Sequence, residues 1–536
     1  MKLVLRDATV LDGTGAPGYR ADVAVDGGRI AAIVRPGSGR RPGAPTTLDA
    51  HGLVVAPGFI DMHAHSDLAV LAEPDHLVKV SQGVTTEVLG QDGLSYAPVS
   101  AQTLEPLRQQ LAGWHGDPSG FDWSWRTVGE YLDRLDAAGL AVNACYLVPH
   151  GTVRALVLGW ARRPPAPAEL DRMRSLVADG LAAGAVGMSS GLTYPPGMYA
   201  STDELVSLCG VVAAHGGFHA PHHRSYGAGA LNAYAEMIEV SRRSGCPVHL
   251  THATMNFPVN AGRAGELLAL VNRARAGGLD VTLDTYPYLP GSTTLAALLP
   301  SWAAEGGPAA TLRRLHDPVA RERMRVDLEV HGSDGCHGVP VDWRTVQISG
   351  VRDQSLSDRV GHTVAALAGG RPPAEVCFEL LRADRLGTTI LQHVGDESNV
   401  RTIMRHPAHM AGSDGLLVGA RPHPRAWGTF PRYLGHYARD EGVLTLADCV
   451  AHLTGRAARR LRLADRGLVG VGYAADLVLF DPATVRDTAT YDEPRRQCAG
   501  IPYVYVNGEA VIADGRRTGA LPGRVLRRGA AAGAAG

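Results

Sequence analysis

A chain of 536 residues exceeds one ordinary domain and has room for a barrel with an accessory domain. It is 45% hydrophobic and 20% charged with a formal net charge of −1. That balance is globular, excludes a disordered chain, and gives no electrostatic case for nucleic acid or an anionic membrane surface as partner.

No apolar run reaches the ~18 residues of a spanning helix. Residues 1–7 mix charge into a short strand pattern, unlike a signal peptide. Seven scattered cysteines fit a reducing cytoplasm. Residues 9–13, 21–28 and 29–34 are short β-prone runs, the first two closing in Asp-Gly at hairpin positions. Residues 475–481 and 503–511 match them near the other end, with Asn507-Gly508 as a strong hairpin signal. Strands at both ends predict one small β-sandwich domain built from both termini.

Between them strand and helix alternate. Strands are expected at 55–65, 84–90, 141–148, 184–189, 217–222, 247–252, 279–286 and 409–414, with helices over 169–183, from the capping pattern Ser201-Thr202-Asp203-Glu204, and from about 230 to Gly245. Eight strands with intervening helices predict an α/β fold, a parallel (β/α)8 TIM-like barrel with its chemistry at the C-terminal strand ends. The expected layout is 1–55 and 466–525 as the two parts of the sandwich, 56–465 as the catalytic barrel, and 526–536 as a flexible tail. An insertion at about 290–390, with a charged helical stretch over 311–325, reads as a lid or active-site wall.

The first barrel strand carries Asp61-Met62-His63-Ala64-His65. Side chains two apart in a strand share a face, so His63 and His65 face one way with Asp61. Two imidazoles aimed at one point suit a divalent metal. Later strand ends supply more donors: His222 and His223 on the fifth, His249 and His252 on the sixth, and Asp414 on the eighth. Packing alone rarely produces that series, and it points to a metal site. Alternation turns His249 away from His252. His150 ends the third strand, as cleft lining or as structure.

Through residues 58–65, Gly83-Val84-Thr85-Thr86, Tyr194-Pro195-Pro196-Gly197, Asp284-Thr285-Tyr286-Pro287-Tyr288, Gly412-Ser413-Asp414-Gly415 and the long segment 423–432, the chain resembles the amidohydrolase superfamily. Within it, the chain is similar to the N-acyl-D-amino-acid deacylases (D-aminoacylases), and the likeness runs nearly end to end. The resemblance implies metal ligands at His63, His65, His222, His252 and Asp414. It implies one or two Zn²⁺ ions, and Mn²⁺ or Co²⁺ become alternatives where a harder carboxylate replaces a thiolate ligand. Many members bridge two metals with a carboxylated lysine on strand four. Here that strand reads Gly187-Met188-Ser189-Ser190-Gly191, and the only lysines among 52 Lys and Arg residues are Lys2 and Lys79.

Where D-aminoacylases carry a ligating cysteine after strand two, this chain has Gly90-Gln91-Asp92-Gly93. Asp92 is the expected carboxylate ligand in its place, with Glu87 as rival. The resemblance further implies Asp414 as the catalytic acid and base, Arg425 as the cation for a substrate carboxylate, and Tyr194, Tyr286 and Ser292 as substrate-holding residues. A lysine expected two residues beyond His252 is Thr254 here.

The implied activity is metal-dependent hydrolysis of N-acyl-D-amino acids to a carboxylate and a free D-amino acid, with the small N-acyl substrate as partner. Other readings are an amidohydrolase of a blocked dipeptide or cyclic amide, and a non-catalytic binding protein on the same fold. Oligomeric state is not encoded in these patterns.

Overall fold

In the computed structural model, which describes residues 1–37 and 43–529, the apolar run at 55–65 is not one strand. Val54–Pro57 pairs with Leu477–Phe480 in the sheet of the chain ends, while Phe59–Asp61 opens the barrel. Gly58 is the crossing point. Its N–H donates to the Asp476 carbonyl at 2.8 Å, and a Cβ there would lie 2.2 Å from the Thr85 side chain. Any larger residue would push the two sheets apart.

The chain ends build one nine-stranded sheet. Its order is Arg29–Val34, Tyr19–Asp26, Leu3–Val10, Val54–Pro57, Leu477–Phe480, Tyr503–Val506, Glu509–Ala513 and Arg516–Arg517, with Thr46–Asp49 also beside Leu3–Val10. Alternation decides how it packs. Val55, Leu477 and Leu479 join the sheet's own apolar cluster with Leu5 and Val23, while Val54, Ala56, Val478 and Phe480 enter the large cluster shared with the barrel helices. Asn507 and Gly508 (φ 49° and 82°) form the expected tight turn, with Val506 opposite Glu509. Asp12-Gly13 does not: residues 11–18 link the flanking strands as a longer loop, in which Asp12 accepts from Thr14 N at 2.9 Å.

The eight parallel barrel strands are Phe59–Asp61, Val84–Leu89, Asn143–Pro149, Gly187–Gly191, Phe218–His222, Val248–Leu250, Val281–Thr285 and His409–Ala411. The last closes on the first through Met62 N to Ala411 O at 3.2 Å and Asp414 N to His63 O at 2.8 Å. Ile60, Val88, Leu147, Val186, Phe218 and Met410 fill the interior, against Ala457, Ala458 and Leu461 of the helix Gly455–Leu461. The sixth and eighth strands are shorter than their sequence patterns. His252 and Asp414 lie beyond them at φ 31° and 47°, a backbone no strand tolerates. The helices Pro167–Ala182, Thr202–Ala214 and Ala230–Ser244 fall on the expected segments. Ser201 accepts from Glu204 N, and Gly245 ends the third helix in a left-handed cap.

The inserted unit has its own core, including Leu298, Leu315, Met324, Ile348, Phe378 and Ile390. Its sheet orders Gly291–Thr294, Thr389–Gln392 and Val346–Gly350, all antiparallel. The helical stretch expected at 311–325 is two helices, Pro308–His316 and Pro318–Val326. Pro318 cannot continue the first, and Asp317 caps the second by accepting from Val319 N.

The start of the expected tail is held. Gly523 N donates to Leu140 O, Leu526 N to Ala144 O and Arg528 N to Gly184 O, which lays residues 523–528 along the barrel. Residues 530–536 lie outside the described part. No helix among the described residues is long and apolar enough to cross a membrane.

Candidate metal centre

Six side chains meet at the C-terminal mouth of the barrel. His63 and His65 follow the first strand, their Nε2 atoms 3.2 Å apart. Asp92 stands in the turn after the second strand at φ 53°. That turn is held by Gln91 Nε2 donating to Met62 O at 2.7 Å and by Gly93 N donating to Ser189 Oγ at 3.0 Å. It fits only because strand four is small beneath it. A Cβ on Gly191 would lie 2.0 Å from the Asp92 carbonyl. The turn that presents Asp92 therefore packs directly on strand four.

Asp92 lies between two groups of donors. Its Oδ1 is 3.4 Å from His63 Nε2 and 3.3 Å from His252 Nε2, and its Oδ2 is 3.5 Å from both His65 Nε2 and His222 Nδ1. Asp414 Oδ1 is 3.2 Å from His65 Nε2 and 3.7 Å from His63 Nε2. One ion fits among His63, His65, Asp92 and Asp414, and a second among Asp92, His222 and His252. The outward ring nitrogens of the later histidines are held: His222 Nε2 by Thr193 Oγ1 at 2.7 Å, and His252 Nδ1 by Tyr226 OH at 2.9 Å. Such outer contacts leave the other nitrogen of each ring aimed at the cluster.

Buried Asp92 Oδ1 has no hydrogen-bond partner among the described residues. An orphaned carboxylate oxygen ringed by imidazoles is the arrangement a divalent cation satisfies. Asp92, His252 and Asp414 all sit at positive φ, so the backbone is bent to bring these donors together.

The protons tell the same story. Burial opposes charge on His65, but hydrogen bonds to Asp414 and Asp92 outweigh it and push its pKa up to about 9. Burial likewise opposes ionisation of Asp92 and Asp414. The surrounding imidazoles, with Arg425 at Asp414, still hold both carboxyls below the ordinary range. Near pH 7 the metal-free protein thus carries a proton on His65 that an incoming ion must displace. Metal affinity should fall as pH drops from about 9, with about one proton released per ion at neutral pH. Calorimetry in buffers of different ionisation heat measures this, and proton-free binding at pH 7 would contradict it.

The expected substrate residues gather at the same place. Tyr194, Tyr286 and Ser292 line the pocket over the cluster. Arg425, fully buried at the start of the helix Arg425–Arg432, lies over the Tyr286 ring at 4.2 Å. Its backbone N–H donates to His423 Nδ1 at 2.9 Å, and His423 Nε2 is 3.0 Å from Pro290 O. An ion pair of 2.9 Å joins it to Asp414 Oδ2, while its Nε and one terminal nitrogen are buried without a hydrogen-bond partner among the described residues. Such unsatisfied donors suit a carboxylate.

Other marked residues stay out. Asp61, expected to share the face of His63 and His65, lies beneath them and pairs with Lys79 at 2.6 Å. Glu87 is bound by His76, Lys79 and Ser66, which removes it from the ligand set. His249 pairs with Asp284 at 2.7 Å, turned away as alternation requires. His223 hydrogen-bonds Tyr226 OH, and His150 pairs with Glu204 beside Arg154, away from the pocket. Trp114, Tyr226, Asn256, His337 and Gln392 also line the pocket and went unmarked in the sequence. None repeats at a helical or strand period, so no local pattern could have found them.

The model of the amidohydrolase family described as "Amidohydrolase family" matches residues 46–512. A D-aminoacylase of Alcaligenes xylosoxydans xylosoxydans is 40% identical over 99% of this chain and 98% of its own length. An N-acyl-D-glutamate deacylase of the same organism is 38% identical over 99% and 97%. The solved N-acyl-D-glutamate deacylase of Bordetella bronchiseptica, complexed with zinc and a phosphonate that mimics the tetrahedral intermediate, superposes with a TM-score of 0.81. It is 34% identical, with 98% of this chain and 99% of that one covered.

Proposed function

This chain belongs to the amidohydrolase family, and from that premise we propose that it hydrolyses the amide bond of N-acyl-D-amino acids, releasing a carboxylate and the free D-amino acid. The observation that carries the reading is the convergence of His63, His65, Asp92, His222, His252 and Asp414 beside an arginine with unused donors. The D preference comes from the deacylases it is similar to across almost its whole length.

We assign zinc to the cluster, as one ion or two, with Mn²⁺ or Co²⁺ as alternatives. A divalent ion there supplies the Lewis acidity that activates water and polarises an amide carbonyl at neutral pH. Asp414, its Oδ1 3.2 Å from His65 Nε2, takes the proton of the attacking water and returns it to the leaving nitrogen as the C–N bond breaks. Arg425 clamps the free carboxylate, with the Tyr286 ring beneath its guanidinium. Tyr194 stands across the pocket, its hydroxyl 3.1 Å from Thr293 Oγ1 and its ring edge-on to Trp114.

Behind Trp114 and Tyr194 lies a second pocket. It is lined by Leu94, Leu111, Trp160, Leu299 and Leu386, and among the described residues no charged side chain borders it. We place an apolar side chain of the substrate there. An acidic side chain would lose its hydration without gaining a cation.

The reading is tested by loading the protein with Zn²⁺, Mn²⁺ or Co²⁺ and following amine release. N-acetyl-D-leucine and N-acetyl-D-methionine should be hydrolysed in preference to their L forms, and better than N-acetyl-D-glutamate by roughly tenfold or more in kcat/KM. Turnover only of blocked dipeptides or cyclic amides would move the substrate class. No turnover with any metal would leave a binding protein. Arg425→Ala should raise KM for substrates with a free carboxylate far more than for their amides. Equal effects on both would remove the arginine from carboxylate binding. All seven cysteines are unpaired, and we place the enzyme in the cytoplasm on that ground.

A further inference from the structure

One histidine over the metal cluster belongs to neither the ligand set nor the substrate set. His337 is carried by the inserted unit, not by the barrel, and lines the pocket with His222, His252 and Tyr226. Its position is built. The His337 carbonyl accepts from Ala228 N at 3.1 Å and from Ser225 Oγ at 3.0 Å, which pins it to the segment after the fifth strand. The ring packs against Tyr226 at 5.4 Å and Phe257 at 5.7 Å between centroids. Tyr226 is the residue whose hydroxyl holds His252 Nδ1, so His337 stands directly beside the outer support of one metal ligand.

Two observations argue against a passive filler. His337 sits at φ 59°, a backbone that costs energy for any residue with a Cβ and persists where surrounding contacts enforce it. Its Nδ1 is buried and has no hydrogen-bond partner among the described residues. In its neutral form the imidazole presents one N–H donor and one acceptor. A sealed, unpartnered nitrogen costs less as a bare acceptor than as an unpaired donor, which places the ring proton on Nε2, the nitrogen left to meet a bound molecule.

We infer that His337 is a substrate-binding residue, donating a hydrogen bond from its ring to an oxygen of the N-acyl amino acid on the His222–His252 side of the cluster. The inserted unit then completes the site rather than only walling it. Arg425 and Tyr286 hold one edge of the substrate, the Trp114–Tyr194 pocket takes the apolar group, and His337 adds a donor from the inserted unit on the His222–His252 side. This rests on the deacylase reading above.

The test compares full-length, metal-loaded wild type with His337→Phe and His337→Asn. Phenylalanine keeps an aromatic ring against Tyr226 and Phe257 but has no donor. Asparagine keeps a donor and tolerates positive φ. The expected result is a loss of about tenfold in kcat/KM for N-acetyl-D-leucine in His337→Phe. His337→Asn should recover part of it, with metal content and Tm of both variants at the wild-type value. Wild-type kcat/KM in His337→Phe overturns the inference, as does an equal loss in both variants or a loss that tracks lowered Tm or metal content. A wild type that hydrolyses no N-acyl-D-amino acid overturns the deacylase reading itself, and the role of His337 with it.

Discussion

Asp414→Asn is expected to lower kcat by about 10²–10⁴-fold, the usual contribution of a positioned acid and base, while most of the bound metal remains. The substitution is close to isosteric. Asparagine tolerates the φ of 47° that Asp414 adopts nearly as well as aspartate does. The backbone anchor, Asp414 N to His63 O at 2.8 Å, does not involve the side chain. The amide keeps one oxygen to direct at the cluster beside His63 and His65, and His222, His252 and Asp92 are untouched. What disappears is the ability to accept a proton from water and deliver it to nitrogen.

The ion pair to Arg425 disappears too. That frees the guanidinium for the substrate carboxylate, so KM should not rise. A variant with kcat within a few-fold of wild type would take Asp414 out of proton transfer. A variant that lost its metal along with its activity would make it a ligand and nothing more. Metal analysis by mass spectrometry beside single-turnover kinetics separates the two.

Lys79→Met is expected to cost about 3–5 kcal/mol of stability, the range for breaking a buried ion pair from one side. Lys79 is fully buried, and its Nζ reaches Asp61 Oδ2 at 2.6 Å, Ser413 Oγ at 2.9 Å and Glu87 Oε1 at 3.0 Å. Methionine matches its volume but leaves two buried carboxylates without their shared cation. The network also reaches the metal centre. Asp61 Oδ1 accepts from His63 N at 3.2 Å and Ser413 N at 2.8 Å, and Ser413 Oγ donates to His63 O at 3.2 Å. Lys79 thus ties the two segments that carry His63 and Asp414, across the seam where the first and eighth strands close the barrel.

A pH signature accompanies the loss. Burial opposes charge on Glu87, but Lys79 and His76 outweigh it and lower its pKa from 4.5 to about 2. A depressed carboxyl pKa stabilises the fold fully above its unfolded value and loses that contribution as pH falls through the folded one. The stability gap between wild type and Lys79→Met should therefore be full near neutral pH and narrow as pH falls from about 4.5 towards about 2, and adding Glu87→Gln should restore part of the stability lost at neutral pH. An unchanged urea midpoint at pH 7, or a gap that does not narrow in acid, would refute this account.

Much of the frame is legible in local pattern. The His63-x-His65 spacing places two imidazoles together because neighbours two apart along an extended chain point the same way. Periodicity located the barrel strands, and Asn507-Gly508 announced its turn. The same alternation correctly turned His249 from His252.

Tertiary structure decided the rest. Gly58 splits one apolar run between two sheets because Thr85 leaves no room for a side chain, a neighbour 27 residues away that no window reveals. Asp92 reaches the cluster and Glu87 does not, because Lys79 and His76 claim Glu87 first. Arg425 meets Asp414, and His337 enters from the inserted unit, only when the barrel closes and the insertion docks. The sequence by itself determined the periods, the turns and which residue types could carry the chemistry, since those depend on neighbours along the chain. Which donors share a site depends on contacts between distant segments, and those are set by how the strands close and what each side chain finds when they do.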